Sequence, residues 1–547
     1  MKSSVVSAWD MLWRSHREAK RLLLFAMPVR AGKDADLKIK SEQTMKEEKP
    51  PSYKTPQKIG LLLGPALFFA VLLFFFPEGL SYEGRMVLAT TLWVAVWWIT
   101  EAVPIPAASL LPIVLLPLTG ALEGAAVTSS YGDPIVFLFL GGFLIALAME
   151  RWNLHKRIAL NIISVVGTST SRIVLGFMAA TGFLSMWVSN TAAVMMMLPI
   201  GTAIIHQVSA VMKSERKDLA GEEAKFSKAL IFSIGYAGTI GGLGTLIGTP
   251  PNIILAANIK KLYGVEVSFG GWMAFAVPVV VILLVAVWLY LTKVAHPIKM
   301  KELPGGKELI LEEKRKLGKM SFEETMVLLV FGFAAFMWVT RTFLWDDKIP
   351  GIDDTMIAIF AASLLFLIPS LNKGGRVLDW SVSKDLPWGI LLLFGGGLAL
   401  ATGFKETGLA EWIGGRLTVL DGFNFVVIVV ISAALVLFLT EITSNTATAT
   451  MILPVLASLA LALNVHPYAL MVPAAMAANC AFMLPVGTPP NAIIFASGKL
   501  KISEMVRTGF VINIFTLILI VGAVFYILPN LWGVDLTIFP DNLKSNG

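Results

Sequence analysis

Forty consecutive residues, 173 to 212, contain no Lys, Arg, Asp or Glu, and a polar triplet, Ser189-Asn190-Thr191, stands near their middle. An α-helix rises about 1.5 Å per residue and a bilayer core is roughly 30 Å thick, so the stretch is too long for one span. It is either two spans or a hairpin that enters and returns, and in both cases its ends share one side. The arm from Ile173 to Val188 measures roughly 24 Å as a helix, short of the far surface. The tip is flanked by Trp187, Val188, Ala192 and Ala193 rather than by charged or loop residues. A re-entrant hairpin is therefore expected, with its non-helical tip surrounded by protein or a water-filled cavity.

A second stretch, 229 to 259, runs 31 residues without a charge. As one helix it would be roughly 46 Å long, too long for a bilayer without severe tilt. Gly241-Gly242, Gly244 and the pentad Gly248-Thr249-Pro250-Pro251-Asn252 interrupt it. Two adjacent prolines remove two amide donors, and the second disfavours helical geometry before it, so a broken helix is expected.

Both features recur. Ser444-Asn445-Thr446 lies in the apolar stretch 422–465, and Gly487-Thr488-Pro489-Pro490-Asn491 in 467–498. Superposing 134–199 on 389–454 at a constant offset of 255 pairs Phe139 with Phe394, Gly141-Gly142 with Gly396-Gly397, and Leu154 with Leu409, without a gap. Between triad and pentad the first copy is 16 residues longer, the length of its polar insert Lys213–Lys228. Ala107–Leu111 and Ala361–Leu365 match more weakly upstream. The repeat spans roughly 86–292 and 325–532, leaving an extra helix and loop in 59–85, a polar loop at 293–324 and a tail at 533–547.

Further apolar segments at 59–76, 86–100, 102–120, 134–149, 271–292, 325–344, 355–371, 387–403 and 509–532 read as spans. The fold class expected is an all-α polytopic membrane protein of inverted repeats, with about eleven membrane helices, two of them broken, and two re-entrant hairpins. Composition agrees: 56% of the 547 residues are hydrophobic and 15% charged, with mean hydropathy +0.75, which excludes an ordinary soluble protein. The net charge of +7 is accounted for by Lys and Arg retained on the cytoplasmic side. No aromatic-basic interleaving points to nucleic acid. Residues 1–58 are basic. Val5, Val6, Trp9, Leu12 and Trp13 are spaced as one face of a helix, which suits an interfacial helix on the inner leaflet or a disordered tail. The run Leu22–Met27 is too short for a signal-peptide core, so no cleavage is expected.

With the N-terminus inside, the basic loops at 150–172, 293–321, 372–385 and 499–507 all fall inside, and the base-free loop with Glu123 and Asp133 falls outside. The C-terminal tail is then extracellular. The two halves are inverted, one hairpin enters from each face, and the triads can meet near the midplane, which is the arrangement of alternating access.

Short polar side chains and free carbonyls suit a small hard cation; amides, hydroxyls and helix N-termini suit a carboxylate. Thr191 and Thr446 open the second arms and can hold an anion with the amides that follow. No Arg or Lys lies in the apolar part of either motif region, so an anion there needs dipoles and co-bound cations for neutralisation. Glu441 is the ionisable group of the hairpin arms; it serves either a cation or gating role or a structural one, capping nearby backbone. Glu101 reads as a helix-end or interfacial residue. Of the histidines, none at metal-ligand spacing, His206 reads as packed or cavity-facing. Cys480 reads as a small buried hydrophobe. No phosphate-binding loop or nucleophile elbow is present.

The paired motifs, with Phe137–Phe143, Met149–His155 and Leu439–Thr450, resemble the divalent anion/sodium symporter family, its bacterial sodium-dicarboxylate symporters in particular, from about residue 56 to 535. The resemblance implies a plasma-membrane homodimer with a scaffold domain and a transport domain that moves like an elevator. It implies co-transported sodium and no organic cofactor. One sodium site would use Ser185, Ser189, Asn190 and the carbonyl of Gly248; its mirror, Thr440, Thr443, Asn445 and the carbonyl of Gly487. Succinate, fumarate or malate would lie between Ser189-Asn190-Thr191 and Ser444-Asn445-Thr446, beside Thr249-Pro250 and Thr488-Pro489. Thr443 and Gly487 stand where family members can carry alanine, a change indifferent to a backbone ligand. Rival readings are an exchanger of the same fold, a channel, or a polytopic membrane enzyme, for which Glu441 lacks an evident catalytic partner; no catalytic residue is expected.

Overall fold

The computed structural model describes residues 54–167, 169–214, 220–300, 306–372, 374–420 and 422–544. The interfacial helix expected near the N-terminus lies outside the described residues. Helices α1 (Thr55–Phe74) and α2 (Tyr82–Thr100) are followed by the short α3 (Ile105–Ala108), α4 (Leu111–Leu118) and α5 (Gly124–Tyr131), then by α6 (Pro134–Arg151) and α7 (Leu154–Val166). The first hairpin is α8 (Thr170–Ser185) and α9 (Asn190–Ser214); the first broken helix is α10 (Ala220–Gly241) and α11 (Pro250–Tyr263). Helix α12 (Phe269–Leu289) and the polar α13 (Gly306–Lys316) lead into the second half, which opens with α14 (Phe322–Thr340), α15 (Asp354–Leu367), α16 (Trp388–Glu406) and α17 (Leu409–Leu417). The second hairpin is α18 (Phe425–Leu439) and α19 (Asn445–Ala462), and the second broken helix α20 (Pro467–Asn479) and α21 (Pro489–Ala496). Helices α22 (Ile502–Tyr526), α23 (Leu528–Trp532) and α24 (Asp541–Lys544) complete it.

Among the described residues eight helices are long and apolar enough to cross a bilayer, so the chain is a multi-pass membrane protein. Their burial sorts them. Only 22% of the apolar window of α1 is covered by protein, against 72% for α16; α1 is peripheral and α16 central. From the side that bears α7, the chain crosses through α10–α11, α12, α14, α15 and α16 before the second hairpin, so the hairpins enter from opposite sides. Ion pairs agree. Arg157 on α7 meets Glu324 at the start of α14 at 2.6 Å, and Arg341 at its end meets Glu266, which follows α11, at 2.7 Å.

The two halves interlock. Helix α11 packs on α19 and α20 of the other half, and α21 packs on α9 and α10. Phe139 and Phe394, equivalent in the repeat, touch edge-to-face with ring centroids 5.1 Å apart. A residue in contact with its own counterpart lies near a two-fold axis, so the pseudo-symmetry axis passes between these rings. Where α8 crosses α10, a Cβ on Gly241 would stand 2.1 Å from the carbonyl oxygen of Gly182, so only glycine permits this approach.

Three details differ from the sequence reading. The apolar segment 102–120 is no single span: Pro104, Pro106 and Pro112 divide it into α3 and α4. At the division Tyr131 Oη donates to the carbonyl of Ser109 at 2.5 Å, which satisfies the interrupted backbone, and Trp98 Nε1 donates to the Ser109 hydroxyl at 3.0 Å. The first hairpin arm ends at Ser185, so Met186–Val188 belong to the tip. His206 is not packed, since it lies on the exposed face of α9. Cys480 is fully buried, and Glu101 caps α2 in a left-handed conformation.

Candidate functional site

Each hairpin tip is a short non-helical turn after which Asn190 or Asn445 opens the second arm. Each pentad places its two prolines in the first turn of α11 or α21, where the missing amide donors cost nothing. Four helix N-termini, of α9, α11, α19 and α21, are thereby brought to the interlocked centre. Their first-turn N–H groups have no intrahelical partner and carry the positive end of the helix dipole.

In the first half Ser185, fully buried, donates to the carbonyl of Gly238 at 2.5 Å. The amide nitrogen of Asn190, in the orientation that satisfies both ends of the amide, lies 2.5 Å from Ser185 Oγ and 3.2 Å from the carbonyls of Gly238 and Gly248. Ser185, Asn190 and Gly248 are thus together. Ser189 Oγ instead accepts from the amide of Ala192 at 3.2 Å, as an N-cap, and Ser189 is exposed at the mouth. In the second half Thr440 Oγ1 lies 2.6 Å from Asn445 Oδ1 and 2.7 Å from the carbonyl of Ala478, while Asn445 Nδ2 donates to the carbonyl of Asn479 at 3.3 Å. Thr443 pairs with Thr448 at 2.6 Å, and a Cβ on Gly487 would stand 3.1 Å from the carbonyl of Glu441.

The two sets join. Asn190 reaches Gly248; the next residue, Thr249, donates through Oγ1 to Asn479 Oδ1 at 2.6 Å; and the carbonyl of Asn479 holds Asn445. Along this network Asn190, Thr191, Ser444, Asn445, Thr446 and Pro250 are half-buried, and Pro489 is exposed. Ser185, Gly248, Thr249, Thr440, Gly487 and Thr488 are buried. The triads therefore line the accessible side, with the hydroxyls and carbonyls that orient them behind.

Three contributors have no place in the sequence reading of the site. Asn252 and Asn491, the fifth residues of the pentads, turn their amide nitrogens back onto the broken backbone. Asn252 donates to the carbonyls of Gly242, Leu243 and Thr245 at 3.0, 3.2 and 2.7 Å; Asn491 donates to those of Ala481 and Leu484, both at 3.0 Å. Carbonyls freed by the break would otherwise be unpaired in a low-dielectric interior, and the amides satisfy them. The recurrence of this asparagine in both pentads was the available signal. Asn513 of α22 is the third, donating to Glu441 Oε1 at 2.8 Å; it stands outside the repeated motifs.

Glu441 is 3% exposed, and its carboxylate also accepts from the amides of Phe482 at 2.8 Å, Met483 at 3.0 and 3.1 Å and Leu484 at 3.1 Å. It thus ties the second hairpin tip to the break between α20 and α21. The first half makes the equivalent tie in the opposite sense: Thr245, in the break, donates to the carbonyl of Met186, the counterpart of Glu441, at 2.5 Å.

An interlocked inverted repeat with a polar centre built from two hairpin tips and two helix breaks defines a class of membrane carrier. The model of the sodium:sulfate symporter transmembrane region matches residues 57–534, and the chain belongs to that family. A sodium-dependent dicarboxylate transporter, SdcS, of Staphylococcus saprophyticus is 56% identical over 491 residues, covering 89% of this chain and 94% of the relative. The protein of the same name from Staphylococcus aureus strain MRSA252 is 55% identical over 496 residues, covering 90% and 95%. Among solved structures, the Alcanivorax borkumensis YdaH transporter aligns with a TM-score of 0.51 at 13% identity, covering 82% of this chain and 99% of that one; the likeness is one of fold.

Proposed function

We propose that this chain is a sodium-coupled symporter of C4-dicarboxylates such as succinate, fumarate and malate, working by an elevator type of alternating access. The observation that carries the reading is the pair of neutral oxygen sets joined across the pseudo-symmetry axis. One comprises Ser185 Oγ and the carbonyls of Gly238 and Gly248, gathered around the Asn190 amide nitrogen; the other comprises Thr440 Oγ1, Asn445 Oδ1 and the Ala478 carbonyl. Neutral oxygens suit a monovalent hard cation. The relatives' shared name supports both the ion and the substrate.

In this reading the ligands of the first sodium are Ser185, Ser189, Asn190 and the carbonyl of Gly248. Those of the second are Thr440, Thr443, Asn445 and the carbonyl of Gly487. The substrate carboxylates lie between the half-buried triads, against the N-termini of α9 and α19, with Thr249-Pro250 and Thr488-Pro489 alongside. Two negative charges at a site without Arg or Lys are neutralised by dipoles and bound sodium, so substrate binds well only after the ion. The side bearing α7, Arg151, Lys156, Arg157 and Arg172 is cytoplasmic, and the N-terminal tail with it, by the bias of Lys and Arg toward that side. The tail at 533–547 is extracellular, and the carrier works as a homodimer in the plasma membrane.

Labelled succinate uptake into proteoliposomes tests it. Uptake requires an inward sodium gradient, and Asn190→Ala or Asn445→Ala abolishes it. Unchanged uptake in potassium-only buffer would refute symport, and uptake only with dicarboxylate on both sides would identify an exchanger.

A further inference from the structure

Asn479 ends α20, is fully buried, and engages three partners. Its side chain belongs to the first half's site: Oδ1 accepts from Thr249 Oγ1 at 2.6 Å, and Nδ2 donates to the carbonyl of Thr239 on α10 at 2.7 Å. Its backbone belongs to the second half's, accepting from Asn445 Nδ2 at 3.3 Å. One residue thus fixes the pentad threonine of one half and the triad asparagine of the other. Thr249 follows Gly248, whose carbonyl faces Asn190 at 3.2 Å, so the path from one triad to the other consists of hydrogen bonds and a single peptide link.

Pseudo-symmetry does not require this latch. Aligning the pentads places Ile240 opposite Asn479, and an isoleucine offers no such bonds. The two pentad threonines differ accordingly. Thr488 Oγ1 accepts from the amide of Asn491 at 3.3 Å and caps α21, whereas Thr249 makes no side-chain cap on α11 and gives its proton to Asn479. The second half carries the connecting residue, and the first half gives up a cap to use it.

Resting on the symport reading above, we infer that Asn479 is a positioning residue that couples the two half-sites: ordering of Asn445 by ion or substrate holds Asn479, Thr249 and Gly248 in place for Asn190, and the reverse. The coupling is reciprocal, as linkage demands, so it steepens the response to sodium. Without the latch each half-site is ordered alone. One neutral side-chain hydrogen bond is worth a factor of roughly 3 to 10 in an equilibrium constant, and that sets the expected scale.

The test uses the full chain. Sodium dependence is read twice, as succinate uptake in proteoliposomes and as sodium-dependent thermal stabilisation in detergent without dicarboxylate. Asn479→Ala is expected to raise the half-saturating sodium concentration roughly 3- to 10-fold and to flatten the sodium curve toward non-cooperative, with maximal uptake reduced far less. Thr249→Val removes the same bond from the other end and serves if Asn479→Ala does not fold; Thr249→Ser, which keeps the hydroxyl, restores the steepness. The double variant is no worse than Asn479→Ala alone, which already loses both the Thr249 bond and the bond to the Thr239 carbonyl, a non-additivity that loss of packing would not give. Wild-type sodium affinity and steepness in Asn479→Ala, or additive losses in the double variant, overturn the inference. Absence of sodium-driven uptake by the wild-type chain overturns the symport reading instead, and stabilisation by sodium still reports on the latch.

Discussion

Replacing Glu441 by Gln tests whether its carboxylate holds the second helix break. In the wild-type chain Oε1 receives the amides of Phe482 and Met483 and the side chain of Asn513, and Oε2 receives Met483 and Leu484. Gln retains one oxygen. Its NH2 then faces the Leu484 amide, donor against donor, and leaves that buried N–H unpaired. An unsatisfied buried donor costs about 1–3 kcal/mol, and hydrogen bonds to a charged acceptor are worth about 1.5–3 kcal/mol against about 1 for neutral ones. The sum on the segment between α20 and α21 is on the order of 3 kcal/mol, roughly a hundredfold in its opening equilibrium.

Amide hydrogen exchange reads this directly: the peptide covering Phe482–Leu484 exchanges on the order of a hundredfold faster in Glu441→Gln, while the first break, around Gly242–Gly248, keeps its rate. If only the ordered segment binds sodium, apparent sodium affinity falls in proportion to the ordered fraction. The reversed sense of the two ties supplies a rescue. Leu484 stands where the first half has Thr245, and Met186 where the second has Glu441, so Glu441→Met with Leu484→Thr transplants the first half's tie. Protection in the double variant should exceed that of Glu441→Met alone. Unchanged exchange at Phe482–Leu484 in Glu441→Gln, together with lost sodium dependence, would refute a bracing role and leave the carboxylate acting on the ion itself.

Gly242→Ala would set a Cβ 2.6 Å from the side-chain amide of Asn190, displacing it. Succinate uptake is expected to be lost with the fold retained, whereas Gly332→Ala, with open space around it, changes nothing. Arg341, 4% exposed, bonds Asp354 at 2.8 Å and Glu266 at 2.7 Å; Arg341→Met leaves Asp354 buried without its cation and should cost about 3–5 kcal/mol. A lowered unfolding midpoint in detergent checks this, and adding Asp354→Asn recovers part of it. His466, in the loop before α20, has its pKa lowered to about 4 by burial, against a weaker opposing pull from Asp535. Its neutral Nδ1 accepts from the amide of Tyr468 at 3.2 Å. A base whose folded pKa is depressed contributes full stability above its unfolded value of about 6.5, lost as pH falls toward about 4. Thermal stability should decline across that window, and His466→Asn, which keeps a capping acceptor, should flatten the decline.

How far the sequence reaches depends on which interaction writes a pattern into it. Insertion of a helix into hydrocarbon is governed by length and charge, so the hairpins, the breaks and their opposite sidedness were legible from charge-free runs, prolines and the loop distribution of Lys and Arg. The same rule failed at 102–120, because hydropathy does not register that Tyr131 stands ready to pair the backbone carbonyl of Ser109 at the interruption. The packed alternative for His206 failed for a related reason: one histidine in an apolar run says nothing about which face of α9 it occupies. At the candidate site, triads and pentads were conspicuous because they repeat. What connects them was hidden because it does not. Glu441 opposite Met186, Asn479 opposite Ile240, and Thr249 used differently from Thr488 are departures from the repeat. A carrier whose halves were identical in every contact would favour neither orientation of its mobile part. The asymmetric ties, more than the shared motifs, are therefore where this chain can set the relative stability of its two access states, and exchanging them between halves should shift that balance while leaving the ligand oxygens in place.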